Sequence, residues 1–161
     1  MQLVLPNNVL KKLRFHMFKA GKREIGGMLM GEDLGEQVFR IIDFSVDMKR
    51  GTTSSFLRDS DEHDLALLRF YEETGANYKR FNYLGEWHSH PSFSVAPSIN
   101  DISAMQGIVN GGENVDFAFL FISRLRWFGL FECSANLFVR GHQPIQVEII
   151  IEKNKDILFN M

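Results

Sequence analysis

HSHPSFSVAPSIND, residues 88–101, is the stretch that decides the interpretation of this chain. It starts at the end of a predicted strand, passes through a loop with a proline at each end and continues into a predicted helix. His88 and His90 are two positions apart, so both side chains point to the same face of the strand. The loop brings Asp101, in the first turn of the helix, back toward them, and a helix N-terminus favours a carboxylate. The spacing therefore predicts one metal ion bound by these three side chains.

This ligand set favours a catalytic zinc ion. Cys133 is the single cysteine, so an internal disulfide and a site of paired thiolates are both excluded. Simpler interpretations exist for each half of the pattern: Ser98 and Asp101 form only a helix cap, and a His-x-His pair means little alone. The two halves together favour zinc with an open fourth position for water, and hence a hydrolytic reaction.

The composition is that of one ordinary domain, which we expect to span residues 1–161. Of the 161 residues, 45% are hydrophobic and 15 are Phe, enough for a substantial core. The formal net charge of −2 gives no reason to expect a nucleic-acid partner. The N-terminus lacks the features of a signal peptide and no apolar stretch is long enough for a membrane span. We therefore expect a soluble, cytoplasmic protein with no membrane partner.

Basic residues are concentrated around the first predicted helix, between Lys11 and Arg23. A solvated helix face is a sufficient explanation for them. The alternative is a docking patch for an acidic partner.

The pattern of apolar residues predicts an α+β fold. The first half contains a helix capped by Asn7 or Asn8 and ended by Gly21, a hairpin of strands 25–31 and 38–46, a loop over 49–55, and a helix that starts with a capping box at Asp59 and Glu62 and ends at Gly75. The second half contains strands at 81–90, 115–122, 127–133 and 147–151, a helix over 98–109 closed by residues 110–112, and a C-terminal helix or tail.

Together with Glu24, the motif resembles the signature of the JAB/MPN (JAMM) metalloprotease family. That signature is a Glu followed at a distance by His-x-His-x7-Ser-x2-Asp, and Glu24, His88, His90, Ser98 and Asp101 fill every position. Glu24 also opens the Gly-rich apolar segment EIGGMLMG, which is typical of the family. The resemblance implies a curved mixed β-sheet flanked by helices, with a cytidine-deaminase-like architecture.

The resemblance also implies a role for each matched residue. His88, His90 and Asp101 would ligate one catalytic Zn²⁺ ion. Glu24 would hold the water on that ion and act as the general base, and Ser98 would stabilise the oxyanion. The implied substrate is the amide bond after the C-terminus of a ubiquitin-like modifier or a similarly conjugated protein.

Within the family, the chain looks most similar to stand-alone prokaryotic JAB proteins, some of which accompany E1- and E2-like proteins in bacterial antiphage operons. Two other functions are kept: a non-catalytic scaffold or interaction module of the same fold, and a RadC-like DNA-repair-associated protein, which shares part of the motif. Zinc deaminases are excluded because they need a Cys-x-x-Cys pair. Both an isopeptide bond and a linear peptide bond are kept as the bond that would be cleaved.

Several further titratable residues have simpler interpretations. Glu86 is in phase with the two motif histidines, yet an exposed strand charge is favoured over a carboxylate near the site. His16, His63 and His142 have no ligand spacing and are expected to be ordinary surface or half-buried side chains. Cys133 is expected to pack in the core.

Overall fold

The computed structural model of this chain describes residues 1–47, 61–111 and 115–152. Within those ranges, seven strands and three helices follow one another along the chain. Their bounds are β1 Gln2–Leu5, α1 Asn7–Ala20, β2 Gly26–Asp33, β3 Val38–Phe44, α2 Asp61–Glu73, β4 Phe81–Ser89, α3 Ile99–Gly111, β5 Phe117–Leu125, β6 Phe131–Val139 and β7 Ile145–Ile151. None of the described helices is both long and apolar enough to cross a membrane.

The strands form one mixed sheet in the order β1-β3-β2-β4-β5-β6-β7. β1 is parallel to both of its neighbours, and β4 is parallel to β5, whereas the other pairs are antiparallel. The predicted α+β class and mixed sheet are confirmed. The curvature continues until β7 pairs with β1, which closes the sheet into a barrel.

The core is divided into two apolar clusters by β5, which is buried on both faces. Phe119 and Phe121 face the larger cluster, where α1 packs with residues spaced by three and four: Val9, Leu13, Met17 and Ala20. The alternate residues Ala118, Leu120 and Ile122 face the smaller cluster beneath Met105 and Val109 of α3. This packing explains why β5 is a nearly continuous apolar run.

Some predicted boundaries are wrong. The residue before α1 is Pro6, which makes no side-chain cap, so the predicted Asn cap is not formed, although Gly21 ends the helix as expected with a φ of 62°. The strand predicted over 127–133 begins at Phe131, after a short 3₁₀ turn at Trp127–Gly129. β1 was not predicted. The predicted loop over 49–55, the cap residue Asp59, Gly112 and the C-terminal helix or tail fall outside the described residues.

Candidate metal centre

The two histidines of the motif lie where β4 ends between two neighbouring strands. His88 pairs with Gly26 of β2 on one side and with Ile122 of β5 on the other. The next backbone amides continue this pattern, because Ser89 N–H donates to the Ile25 carbonyl (2.8 Å) and His90 N–H donates to the Ser123 carbonyl (2.9 Å). Both imidazoles are therefore carried by backbone that is bonded on each side.

The three predicted ligands converge. His88 Nε2 lies 2.9 Å from His90 Nε2, and the imidazole centroids are 4.7 Å apart. Asp101 completes the group, with Oδ1 3.5 Å from His88 Nε2 and Oδ2 3.8 Å from His90 Nε2. All three residues are buried, with exposed fractions of 5% to 9%. The fold-back predicted for Asp101 is thus what the structure shows.

A hydrogen bond outside the cluster sets the tautomer of His90. Its Nδ1 lies 2.7 Å from the carbonyl oxygen of Ser94. A carbonyl oxygen only accepts, so Nδ1 carries the proton, and the neutral ring keeps its lone pair at Nε2, inside the cluster. Metal-binding histidines in proteins commonly have a partner of this kind for the other ring nitrogen.

The loop that supplies the Ser94 carbonyl is tied to the end of the sheet. Arg124 Nη1 donates to the Phe93 carbonyl at 2.7 Å, and the Ser134 hydroxyl donates to the Val95 carbonyl. These bonds join the loop to β5 and β6. The position of the His90 ring therefore depends on side chains that lie far from it in sequence.

Asp101 and Ser98 form a reciprocal cap at the start of α3. Ser98 N–H and the Ser98 hydroxyl each donate to Asp101 Oδ2 at 2.7 Å, and Asp101 N–H donates to the Ser98 Oγ at 3.1 Å. Burial opposes ionisation of Asp101, but the hydrogen bonds and charge of His88 and the bonds from Ser98 outweigh it and lower the pKa to about 2. The cap interpretation of Ser98 is observed, and its role at an oxyanion stays a prediction.

Glu24 is half-buried just before β2, at the same end of the sheet. Burial raises the pKa of its carboxyl, while the neighbouring His90 and His88 lower it and Asp101 raises it further. These electrostatic neighbours are the three members of the cluster. The structure therefore brings Glu24 close to them, although His88 follows it by 64 positions in the sequence. A carboxyl with a raised pKa is better suited to exchange protons near neutral pH than an ordinary surface Glu.

Ser89 is a site residue that the sequence analysis missed. It is 3% exposed, and its Oγ accepts a hydrogen bond from Ile25 N–H at 3.0 Å. With the bond from its own amide to the Ile25 carbonyl, Ser89 holds the backbone next to Glu24 at two points. The alternation of side chains along the strand places Ser89 on the face opposite the histidines. Its bonds to Ile25 could not be predicted, because they depend on the pairing of β4 with the start of β2.

These side chains fit a metal ion. Each of His88, His90 and Asp101 offers one ligand atom, and these atoms all lie within 4.8 Å of one another. The donors are two imidazole nitrogens and one ionised carboxylate, a combination that zinc accepts with one position left open. Among the described residues, this is the group of His, Cys, Asp or Glu that could hold a metal ion.

Two expectations about other residues are wrong. Glu86 is 7% exposed and accepts a hydrogen bond from the Tyr83 hydroxyl at 2.6 Å, so it is a buried carboxylate rather than an exposed strand charge. His63 is 8% exposed, with Nδ1 2.6 Å from Ser45 Oγ. His16 is half-buried and His142 is exposed, as expected.

A family model described as prokaryotic homologs of the JAB domain matches residues 6–135. Among solved structures, the chain is similar to the solution structure of protein DSY2949 from Desulfitobacterium hafniense, with a TM-score of 0.69 and 18% sequence identity. That match covers 94% of this chain and 93% of the other, and at this identity it supports the fold alone. No curated protein matches the chain.

Proposed function

The chain belongs to the prokaryotic homologs of the JAB domain, and we propose that it is a zinc-dependent peptidase that cleaves the amide bond after the C-terminus of a ubiquitin-like modifier or a similarly conjugated protein. The observation that carries the proposal is the buried convergence of His88, His90 and Asp101 beside Glu24. The scissile bond is an isopeptide or a linear peptide bond. Its carbonyl needs an activated water, a proton acceptor and a donor to the developing negative charge.

His88, His90 and Asp101 would hold the zinc ion through Nε2, Nε2 and a carboxylate oxygen. A zinc ion with an open position lowers the pKa of water to about 7 and polarises a carbonyl oxygen. Two features of the described structure favour zinc binding by these three residues. The Ser94 carbonyl holds the His90 tautomer, and the lowered pKa of Asp101 keeps that ligand ionised throughout the physiological range.

Glu24 is the proposed proton carrier. In this role its carboxylate takes a proton from the attacking water and returns it to the departing amine, which leaves as a neutral group. Burial raises the pKa of Glu24, so the group gains basicity relative to an exposed glutamate. Glu24 lies next to the backbone that Ser89 holds, which fixes the point of the chain from which its side chain extends.

Ser98 is the proposed donor to the carbonyl oxygen of the substrate. Its hydroxyl donates to Asp101 Oδ2 in the structure, and Asp101 also receives the Ser98 amide. Rotation of the hydroxyl would therefore leave Asp101 with one hydrogen bond from Ser98. The hydroxyl proton would then be available to the oxygen that gains negative charge during attack.

The proposed partners follow from the family resemblance. They are the C-terminal tail of a ubiquitin-like modifier and, in an antiphage operon, E1- and E2-like proteins that attach it. A cytoplasmic location fits such a role. The proposal of antiphage defence would gain support from genes for such proteins beside the gene for this chain.

Glu24→Gln tests the mechanism against candidate ubiquitin-like conjugates. The substitution keeps the shape of the side chain but removes its basicity, so we expect kcat to fall by about 10²- to 10⁴-fold. Zinc content, measured by elemental analysis, should equal that of the wild type because Glu24 is not a proposed ligand. Glu72→Gln, at an exposed position of α2, is the matched control and should cleave normally.

Chelation completes the test. Removal of zinc should abolish cleavage, and added zinc should restore it. Cleavage that survives both chelation and Glu24→Gln would refute the mechanism. Stoichiometric zinc without cleavage of any conjugate would instead support the non-catalytic interaction module.

A further inference from the structure

The turn between β5 and β6 presents two adjacent aromatic side chains to solvent. Trp127 is 88% exposed and Phe128 is 106% exposed, and Leu130 beside them is 59% exposed. Single exposed apolar residues are common on protein surfaces, but a contiguous group that includes Trp and Phe indicates an interaction site. The proposed peptidase mechanism does not use this group.

The backbone of this turn is held in one conformation. Arg126 N–H donates to the Leu130 carbonyl at 2.8 Å, and Gly129 N–H donates to the Arg126 carbonyl at 3.0 Å. Phe128 has a φ of 62°, a backbone conformation that glycine adopts readily and that is unfavourable for a bulky side chain. Such a conformation persists only where the surrounding bonds impose it. The result is a closed turn that exposes both aromatic side chains to solvent.

Helix α1 lies beside the turn and extends its surface. Arg14 Nη2 donates to the Gly129 carbonyl at 2.9 Å. Lys11, Arg14 and Phe18 are spaced by three and four residues, so they lie along the same flank of α1. All three are exposed, and Phe18 is 81% exposed. The aromatic turn therefore adjoins a helix flank that carries both cations and an aromatic ring.

The charge of this surface is positive. Residues 1–23 contain six cations and no Asp or Glu. Lys12 is paired with Asp43, whereas Lys11 and Arg14 lie on the flank beside the turn. On the hairpin, Glu132 is bonded to both Arg124 and Arg126, which neutralises the acidic side chain. The net charge of the chain is −2, so this positive region is local. A partner that matches this surface would therefore present negative charge to the cations and an apolar region to the aromatic side chains.

We propose that this surface, formed by Trp127, Phe128, Phe18, Lys11 and Arg14, binds an anionic phospholipid bilayer peripherally. The aromatic turn would enter the interface between headgroups and acyl chains, where Trp is favoured, and the flanking cations would contact anionic headgroups. Exposed aromatic side chains enter a bilayer without the shape-matched pocket that a protein partner would have to provide. The sequence predicted no membrane partner because it contains no span, but peripheral binding requires none.

The chain's two tryptophans make the proposal measurable. Trp87 is fully buried in the core, whereas Trp127 is 88% exposed. Vesicles of phosphatidylcholine with about a third phosphatidylglycerol should shift the Trp127 emission to shorter wavelength, and brominated acyl chains should quench it. Vesicles of phosphatidylcholine alone should bind on the order of tenfold more weakly, and about 0.5 M NaCl should weaken binding to the anionic vesicles. Sedimentation with vesicles measures the same affinity without fluorescence.

Paired variants separate the contributions of the apolar and the basic groups. Phe128→Ser should lower the affinity for anionic vesicles about tenfold with Trp127 still present as the reporter. Lys11→Glu should weaken binding to anionic vesicles but leave the weak binding to phosphatidylcholine unchanged. Leu68→Ser, which removes an exposed leucine from α2, is the matched control and should bind like the wild type.

Several outcomes would overturn the proposal. These are an absence of binding to anionic vesicles, equal binding to both kinds of vesicle, and an unchanged affinity in Phe128→Ser. The first result would leave an acidic protein as the better candidate for the surface, and the last two would show that vesicles bind without the cations or without the aromatic turn. Circular dichroism of each variant establishes that a loss of binding does not come from unfolding.

Discussion

At the scale of single residues, the candidate site depends on hydrogen bonds that fix protonation. The Ser94 carbonyl decides which nitrogen of His90 carries the proton, and His88 and Ser98 decide that Asp101 stays ionised. The motif alone predicted that His88, His90 and Asp101 would meet, because spacing on a strand determines which side chains share a face and the loop returns the chain to them. It did not predict the hydrogen bond to Ser94, because every residue has a backbone carbonyl and the sequence does not indicate which one will be used.

Cys133 illustrates how burial controls reactivity. It packs against the larger core cluster, and burial raises the pKa of its thiol from 9.0 to about 11. The native protein therefore has about 100-fold less thiolate at pH 8 than an unperturbed thiol would have. We expect alkylation by iodoacetamide to be at least about 100-fold slower in native buffer than in urea, as measured by mass spectrometry.

The same shift fixes the sign of a pH effect on stability. The folded state favours the neutral thiol, so its contribution is fully present below pH 9 and is lost as the pH rises toward 11. Equal alkylation rates in native and unfolded protein at pH 8 would contradict the placement of Cys133.

At the scale of the secondary-structure elements, Ser89 links the end of β4 to the segment before β2. Ser89→Ala would leave the buried Ile25 N–H without its acceptor, so we expect the free energy of unfolding to fall by about 1–3 kcal/mol. Ser89→Thr keeps the hydroxyl and should recover part of this loss. Ser103→Ala, at an exposed position of α3, should change stability by less than about 0.5 kcal/mol in the same urea titration. Equal effects of Ser89→Ala and Ser103→Ala would show that the bond is dispensable.

Two glycines in different elements should respond to alanine with opposite signs. Gly85 has a φ of 146°, and a Cβ there would lie 2.0 Å from the Phe119 carbonyl oxygen of the adjacent strand. Gly107 lies in α3, where a Cβ would meet nothing within 4 Å. We expect Gly85→Ala to lower the free energy of unfolding by more than about 2 kcal/mol and Gly107→Ala to raise it by about 0.5–1 kcal/mol. Chemical denaturation of both variants measures the contrast, and a loss of stability in Gly107→Ala would contradict it.

The elements that sequence predicted well are those with local signals. Helix α1 was predicted correctly up to its end at Gly21, because the spacing of its apolar residues and the glycine that follows them both indicate a helix that ends there. The start of β6 was misplaced because Trp127 and Phe128 favour strands by composition, although they occupy an exposed turn. β1 has four residues, too few for a periodic pattern, and its position depends on partners that are distant in sequence.

At the scale of the whole molecule, long-range pairing assembles the site. β2 and β4 bring Glu24 near His90 although 66 residues separate them, and α3 adds Asp101. The resemblance to a family predicted this meeting of residues, whereas periodicity did not, because pairing between distant strands is not encoded locally. The closure of the sheet by β1 and β7 escaped the sequence analysis for the same reason.

This long-range assembly predicts that zinc stabilises the entire fold. His88 and His90 lie on β4 and Asp101 lies on α3, so an ion held by all three would connect elements that separate on unfolding. Zinc at about 100 times its dissociation constant should add about 2.7 kcal/mol to the free energy of unfolding. For a chain of this length, the Tm should rise by about 5–10 °C, measured by scanning calorimetry.

Two histidine variants identify the source of that stabilisation. His88→Ala should show no zinc-dependent rise in Tm, because two ligands are too few for tight binding. His142→Ala removes an exposed histidine whose Nδ1 is bonded to the Arg140 carbonyl in its own turn, so it should keep the full rise. An equal rise in both variants would place the stabilising zinc elsewhere on the chain. A rise confined to the wild type and His142→Ala would locate it at the cluster formed by the HSHPSFSVAPSIND segment.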